Sequence, residues 1–294
     1  LALILLWVAT SSVLRAPPIV LLMKHAARPR VPWLAAASLL GLALGGAVSP
    51  YLGLWLKGID PALPFAITGL THFATTLGLT WMQSLKERLP PGERAPAQRQ
   101  PGPKPWIAVL LGASLLIGFG FQIHSFINSQ KLYQAFIPKE QLPLFLPLFW
   151  IGFKLLVFPG AAAAKRYGPL KVLSLAALIG SLGVALSSTA PSLELLIGGQ
   201  MLAGGAWGVF FMAGISAALG LGTSGREGLV LGLWFSFLSL ATLARAGIVV
   251  AGFDKLPSFA PWLTWIPALA WLIGAVILLL VLLIHMKNQQ TETA

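Results

Sequence analysis

Three basic residues stand inside long apolar runs of this chain: Arg15, Lys154 and Arg245. A charged side chain at membrane depth costs several kcal/mol, so such a residue faces a polar interior, a partner or a ligand. Lys154 is the strongest candidate, because about 15 Å of helix separates it from the basic loop that follows. Arg15 lies beside Pro17 and Pro18, which free backbone carbonyls for an arginine to bond. Arg245 lies about seven residues from the end of its run, close enough to extend toward water.

A second set of candidates is polar but uncharged at neutral pH. Gln122, Ser125 and Asn128 follow one another at intervals of three, and His124 precedes Asn128 by four, which predicts one polar face along a helix. In lipid such a face points inward, toward a solute or toward other helices. His72 and His124 titrate near neutral pH, so each is a candidate either for carrying a coupled proton or for plain hydrogen bonding.

The segment GGQMLAGGAWG combines an amide with closely spaced glycines. Gly204 and Gly208 form a G-x-x-x-G pair, which predicts close packing of two helices rather than contact with a ligand. Gln200 in the same segment is expected to have an interior partner, so it joins the candidate substrate-binding residues.

The elements that position these residues follow from composition. Hydrophobic residues make up 57% of the 294 and charged residues 10%, whereas a soluble domain carries roughly 25% charged residues. The chain therefore needs the lipid bilayer as its main solvent. The absence of cysteine excludes disulfides and thiolate metal sites. The net charge of +12 is spread over short segments between apolar runs, so we expect no nucleic-acid partner.

An all-α polytopic membrane protein is the predicted fold class, because a membrane helix needs about 20 apolar residues. Cutting the chain at polar and proline-rich breaks predicts nine spans, near 1–23, 32–56, 62–84, 105–127, 141–164, 170–188, 192–220, 228–251 and 260–285. The run that opens at Leu1 lacks the basic leading segment of a signal peptide, and we expect the natural N-terminus to lie upstream. The polar interval 86–105 reads as a flexible linker. The predicted organisation is three spans in 1–85, a linker in 86–104 and six spans in 105–294.

The distribution of Lys and Arg predicts the orientation. With nine spans, one side collects 13 of these residues, including the linker and the turn KRYGPLK, and the other side only four. Since loops rich in Lys and Arg stay in the cytoplasm, the linker and the C-terminus are predicted to be cytoplasmic in a bacterial-type inner membrane.

Three spans, a basic linker and six further spans resemble a major facilitator superfamily transporter that lacks its first three helices. The turn between the second and third spans after the linker supports this, because Lys165, Arg166, Gly168 and Lys171 approximate the signature that the family carries at this place. Lys165 departs from the pattern, since the family often has an acid there. REGLVLGLW, residues 226–234, is similar to the pigment-assembly branch of the same superfamily.

The resemblance implies two helical bundles, of which the first is incomplete here, and a secondary active transporter that works by alternating access. We expect the protein to be a monomer without a cofactor. In one version of this hypothesis, transport is coupled to protons. Candidate substrate-binding residues are, in order, Lys154, Arg15, Gln122, His124, Asn128, Arg245 and Gln200. The positive charge of Lys154, Arg15 and Arg245 favours an organic anion or zwitterion.

Two alternatives remain open. One is a non-transporting assembly factor, or a lipid- or pigment-handling protein, on the same scaffold. The other is a membrane-embedded enzyme. The sequence disfavours an enzyme, because it shows no H-x-x-x-H pair, no G-x-S-x-G elbow and no P-loop.

Overall fold

The computed structural model describes Ile19, residues 30–60, scattered positions between 62 and 81, residues 104–222 and residues 226–293. Its helices are α1 Val31–Lys57, α2 Lys104–Ile123, α3 Ser129–Gln134, α4 Leu142–Phe145, α5 Leu148–Tyr167, α6 Pro169–Ser188, α7 Leu193–Leu221, α8 Glu227–Val250 and α9 Ala260–Thr293. A π-helical turn, His124–Asn128, joins α2 to α3, and short 3₁₀ turns cover Lys139–Gln141 and Phe253–Lys255. The described part is all-helical, as the sequence predicts.

Seven helical segments are long and apolar enough to cross a membrane, and they fit a multi-pass membrane protein. They are Val31–Leu56, Pro105–Gln134, Lys139–Tyr167, Pro169–Ser188, Leu193–Leu221, Glu227–Val250 and Pro261–Ile284. Each coincides with a predicted span to within a few residues, except that the second extends seven residues beyond the predicted end. The predicted spans 1–23 and 62–84 fall largely outside the described residues, so the count of nine stays a prediction.

Helix α7 lies at the centre of the described helices. Its sequence is apolar on all sides and rich in glycine and alanine, which is the composition of a helix surrounded by other helices. Helices α5 and α6 pack along it, and α1 packs against α5 and α7. Trp207 and Phe210 from α7 join Trp234 of α8 and Trp271 of α9 in a buried aromatic centre.

The six long helices from α2 onward, leaving out the short α3 and α4, contact one another in a pattern with internal symmetry. Helix α7 packs mainly on α5 and α6, while α2 packs mainly on α8 and α9, and α6 meets α9. Exchanging α2 with α7, α5 with α8 and α6 with α9 maps these five principal contacts onto one another. The smaller contacts of α7 with α8 and of α5 with α6 have no counterpart of equal extent.

Glycines permit the closest helix contacts, as the G-x-x-x-G pair predicts. A Cβ at Gly204 of α7 would overlap the carbonyl oxygen of Phe149 in α5, and one at Gly152 of α5 would overlap that of Met201 in α7. A Cβ at Gly208 would lie 2.8 Å from the carbonyl oxygen of Phe153. The backbones of α5 and α7 therefore touch over more than one turn.

The basic segment KRYGPLK forms the tight turn that the sequence predicts. Gly168 separates α5 from α6 with a φ of +91°, a conformation that favours glycine, and its N–H donates to the carbonyl of Ala164 at 3.0 Å. Lys165, Arg166 and Lys171 are exposed around it. This turn and the start of α2 lie at one end of the helices, here called the linker end. The loops 135–147, 189–192 and 251–259 lie at the opposite end, here called the far end.

Candidate functional site

Arg245 is the best-defined candidate in the described part of the chain. Its Nε–H donates to Oε1 of Gln122 at 3.0 Å, and the amide nitrogen of Gln122 donates to Oγ1 of Thr242 at 2.9 Å. The Thr242 hydroxyl in turn donates to the carbonyl of Leu238 at 3.4 Å. The Nε–H of Arg245, the Gln122 amide and the Thr242 hydroxyl each meet an acceptor, and this chain of bonds positions the guanidinium between α2 and α8.

Two side chains of the Pro105–Gln134 span, one of them in its π-helical turn, position Arg245. It lies five residues from the end of α8, within reach of the far end, and its bond to Gln122 ties it to α2. The guanidinium carbon also lies 5.0 Å from the centre of the Phe126 ring, a cation–π contact.

Four aromatic rings extend from Arg245 across the bundle, and we call them the aromatic wall: Phe126, Phe121, Phe149 and Trp150. Successive ring centres are 5.9, 5.7 and 5.6 Å apart. The Trp207 ring stacks on the Phe121 ring, with the ring centres 3.9 Å apart and the planes nearly parallel, and this contact supports the wall. Phe121 and Phe149 are buried, whereas Phe126 is 56% exposed.

Lys154 lies beside the other end of this wall. It follows Trp150 by four residues and precedes Phe158 by four, so the three share one face of α5. That face is turned toward α1, because a Cβ at Gly46 would meet the Trp150 ring at 2.6 Å and Trp33 lies 6.2 Å from Phe158. The Lys154 side chain is half-buried there.

Neither cation contacts a carboxylate in the part of the chain that the structure describes. The acids there are Asp60, Glu140, Glu194, Glu227, Asp254 and Glu292, and all lie at the ends of the apolar segments or outside them. Two positive charges within apolar helical segments thus have no described counter-ion. Such an arrangement is suited to holding an anion.

His124 and Gln200 form a separate, enclosed polar pair. They are 1% and 0% exposed, and the two side chains are neighbours, one in the π-helical turn after α2 and one in α7. Yet neither ring nitrogen of His124, nor either amide atom of Gln200, completes a hydrogen bond. Buried polar groups normally have a partner, so this pair either binds an ordered water or is retained for a functional role.

The single polar face predicted for the region after Gly118 is wrong. Gln122 faces Thr242 on α8, His124 faces Gln200 on α7, and the buried Asn128 donates to the carbonyl of Leu263 on α9 at 2.7 Å. The physical reason is the spacing itself: at about 100° per residue, Gln122 and His124 point about 160° apart and Gln122 and Asn128 about 120° apart. The π-helical turn at His124–Asn128 changes the angle further. Asn128 consequently joins two helices, instead of lying beside Gln122.

Of the predicted site residues, the structure joins Gln122 to Arg245, brings His124 to Gln200 and sets Lys154 near the aromatic wall. Arg15 and His72 lie outside the described residues. Sequence reasoning missed Thr242 and Phe126. Thr242 precedes Arg245 by three residues, and that spacing on one helix face was the available signal.

No protein-family model matches this chain, and no curated protein matches its sequence. In the described residues no cluster of three metal-ligating side chains is found.

Proposed function

We propose that the chain is part of a secondary active transporter that moves a small anionic or zwitterionic solute by alternating access. The observation that carries the proposal is the pair of cations, Arg245 and Lys154, placed near opposite ends of the aromatic wall without a described carboxylate. Retaining such charges in lipid is costly, and binding an anionic solute would offset that cost during part of a transport cycle.

The contact pattern of the helices supports the same proposal. A three-plus-three repeat of opposite orientation is the arrangement from which many transporter bundles are built, and it would produce the exchange of α2, α5 and α6 with α7, α8 and α9. In transporters of this kind the solute site lies near the middle of the membrane. Gln122 and Lys154 both lie well inside their apolar segments.

For the major facilitator superfamily in particular, the support is the predicted linker, the basic turn around Gly168 and this contact pattern. Helix α1 would then belong to the first bundle, since it packs on α5 from outside the six-helix group. The proposed orientation places the linker end in the cytoplasm of a bacterial-type inner membrane, because 13 Lys and Arg are predicted on that side.

Uptake into proteoliposomes tests the proposal. The full chain would be reconstituted, and labelled organic anions, zwitterions and cations would be offered with and without an imposed proton gradient. We expect uptake of an anion or zwitterion that is lost in Lys154→Met and retained in Lys139→Met, the same exchange at an exposed position of the 3₁₀ turn Lys139–Gln141. A well-folded protein that moves no solute of any class would favour the non-transporting assembly factor instead.

A further inference from the structure

We propose that Arg245 binds a monocarboxylate, whose apolar body lies against the exposed Phe126 end of the aromatic wall. The inference rests on the proposed function, because it names the class of solute. It goes beyond that function by giving the two cations different roles: Arg245 recognises the carboxylate, and Lys154 is outside this contact.

The geometry of the guanidinium is the first step. Its Nε–H is already bonded to Gln122, so the free donors are those on the two terminal nitrogens. These nitrogens donate to no described group and are not among the fully buried polar atoms. Two coplanar N–H groups that remain available form the fork that matches the two oxygens of a carboxylate.

The charge of the site is the second step. Arg245 is the one cation held at this end of the wall in the described part of the chain, and Lys154 lies beyond Phe121 and Phe149. A single positive charge at membrane depth compensates a single negative charge, whereas a dianion would keep an uncompensated charge in a medium of low dielectric. A monoanion is therefore the fitting ligand.

The surroundings of the guanidinium are the third step. One face of Arg245 lies on Phe126, and that ring meets Phe121 at nearly a right angle, 85°. Apart from Gln122 and Thr242, which are already bonded to each other, the group that adjoins the fork is the apolar Phe126 ring. An acetate-sized ligand would use the fork only, while an aromatic or aliphatic body would also cover the exposed ring.

Binding to the purified chain tests this without any transport. The full chain in nanodiscs of zwitterionic lipid would be titrated with benzoate, acetate, inorganic phosphate and benzylamine, and followed by calorimetry. We expect benzoate to bind at least tenfold more tightly than acetate or phosphate, and benzylamine not to bind. Arg245→Lys keeps the charge but removes the fork, so benzoate affinity should fall at least tenfold. Arg226→Lys, the same exchange at the exposed start of α8, should bind as the parent does.

Phe126→Ala separates the two parts of the site. It should bring benzoate to the affinity of acetate while leaving acetate unchanged, and it decides the question if Arg245→Lys fails to fold. Benzoate affinity that is unchanged in Arg245→Lys, or phosphate binding as tight as benzoate binding, would overturn the inference. A lipid headgroup as the natural ligand would show as loss of benzoate binding when phosphatidylglycerol is added to the nanodiscs, and this too would overturn it.

The outcomes also separate this inference from the proposed function. Carboxylate binding that depends on Arg245, in a protein that moves no solute, would keep the site and remove the transporter. Uptake of a solute without any carboxylate binding would keep the transporter and remove the site.

Discussion

Replacing Gly204 with alanine would place a methyl group where the backbone of α5 now lies. A Cβ there overlaps the carbonyl oxygen of Phe149, whereas the corresponding Cβ at Gly208 lies 2.8 Å from the Phe153 carbonyl oxygen, against the 3.4 Å at which ordinary contact begins. Both obstacles are backbone atoms of a long helix, so neither can turn aside as a side chain would. The two helices must separate along the seam or rotate.

The expected cost follows from that displacement. Overpacking a close contact typically costs about 1–3 kcal/mol and occasionally more. We place Gly204→Ala at about 3 kcal/mol and Gly208→Ala at about 1–2 kcal/mol, because the overlap at Gly204 is the more severe. At Gly198, on the same helix, a Cβ would have no neighbouring atom within 4 Å. Gly198→Ala should therefore be neutral, or stabilise by up to about 1 kcal/mol through helix propensity.

Reversible unfolding in mixed detergent micelles measures all three free energies on one scale. Backbone contact between α5 and α7 requires the order Gly204→Ala, Gly208→Ala, Gly198→Ala from least to most stable. If Gly204→Ala were as stable as Gly198→Ala, then α5 and α7 would not be in backbone contact, and the helix arrangement around the site would need revision.

Three further predictions concern the interior. Ser114→Ala leaves the buried Nε1–H of Trp234 without its acceptor, now 2.8 Å away, so unfolding in micelles should become easier by about 1–3 kcal/mol, and Trp234→Phe in that background should cost less than it does alone. Additive losses would contradict the bond. Gln200→Leu removes two buried amide atoms that have no partner, so it should raise the free energy of unfolding by about 1–2 kcal/mol while lowering uptake if the pair serves transport. A loss of stability would mean that Gln200 has a partner after all. Because the chain has no cysteine, Phe126→Cys and Phe121→Cys can be compared directly with a water-soluble maleimide. The first should react at least tenfold faster, since Phe126 is exposed and Phe121 is 6% exposed. Equal rates would show that water does not reach the wall at Phe126.

Much of the helical framework could be predicted from the sequence, because it depends on properties of single segments. An apolar run of about 20 residues must close its own backbone hydrogen bonds in lipid, and a helix does this without reference to its neighbours. The span predicted at 170–188 and the helix Pro169–Ser188 agree for that reason. The turn at Gly168 is equally local, since glycine and proline fix its conformation.

The site was predictable only in part. Arg245 and Lys154 stood out because a charge within an apolar run is conspicuous in any sequence. The steps of three residues suggested a common face for Gln122 and Asn128, but at about 100° per residue the two already lie about 120° apart. The π-helical turn at His124–Asn128 changes the angle further. A turn of that kind depends on how side chains meet other helices, which the spacing of one segment does not contain.

The sequence by itself determined a chain of apolar helical segments that fit a multi-pass membrane protein and singled out the cations within those segments, since composition and hydropathy act segment by segment. Only the tertiary structure decided which groups meet those cations. It brought Gln122, 123 positions before Arg245 in the chain, to within 3.0 Å of it. It also placed Lys154 beside the Trp150 end of the aromatic wall, away from Arg245. Contacts between distant segments depend on how several helices pack together, and the glycines at Gly152 and Gly204 control that distance where α5 meets α7.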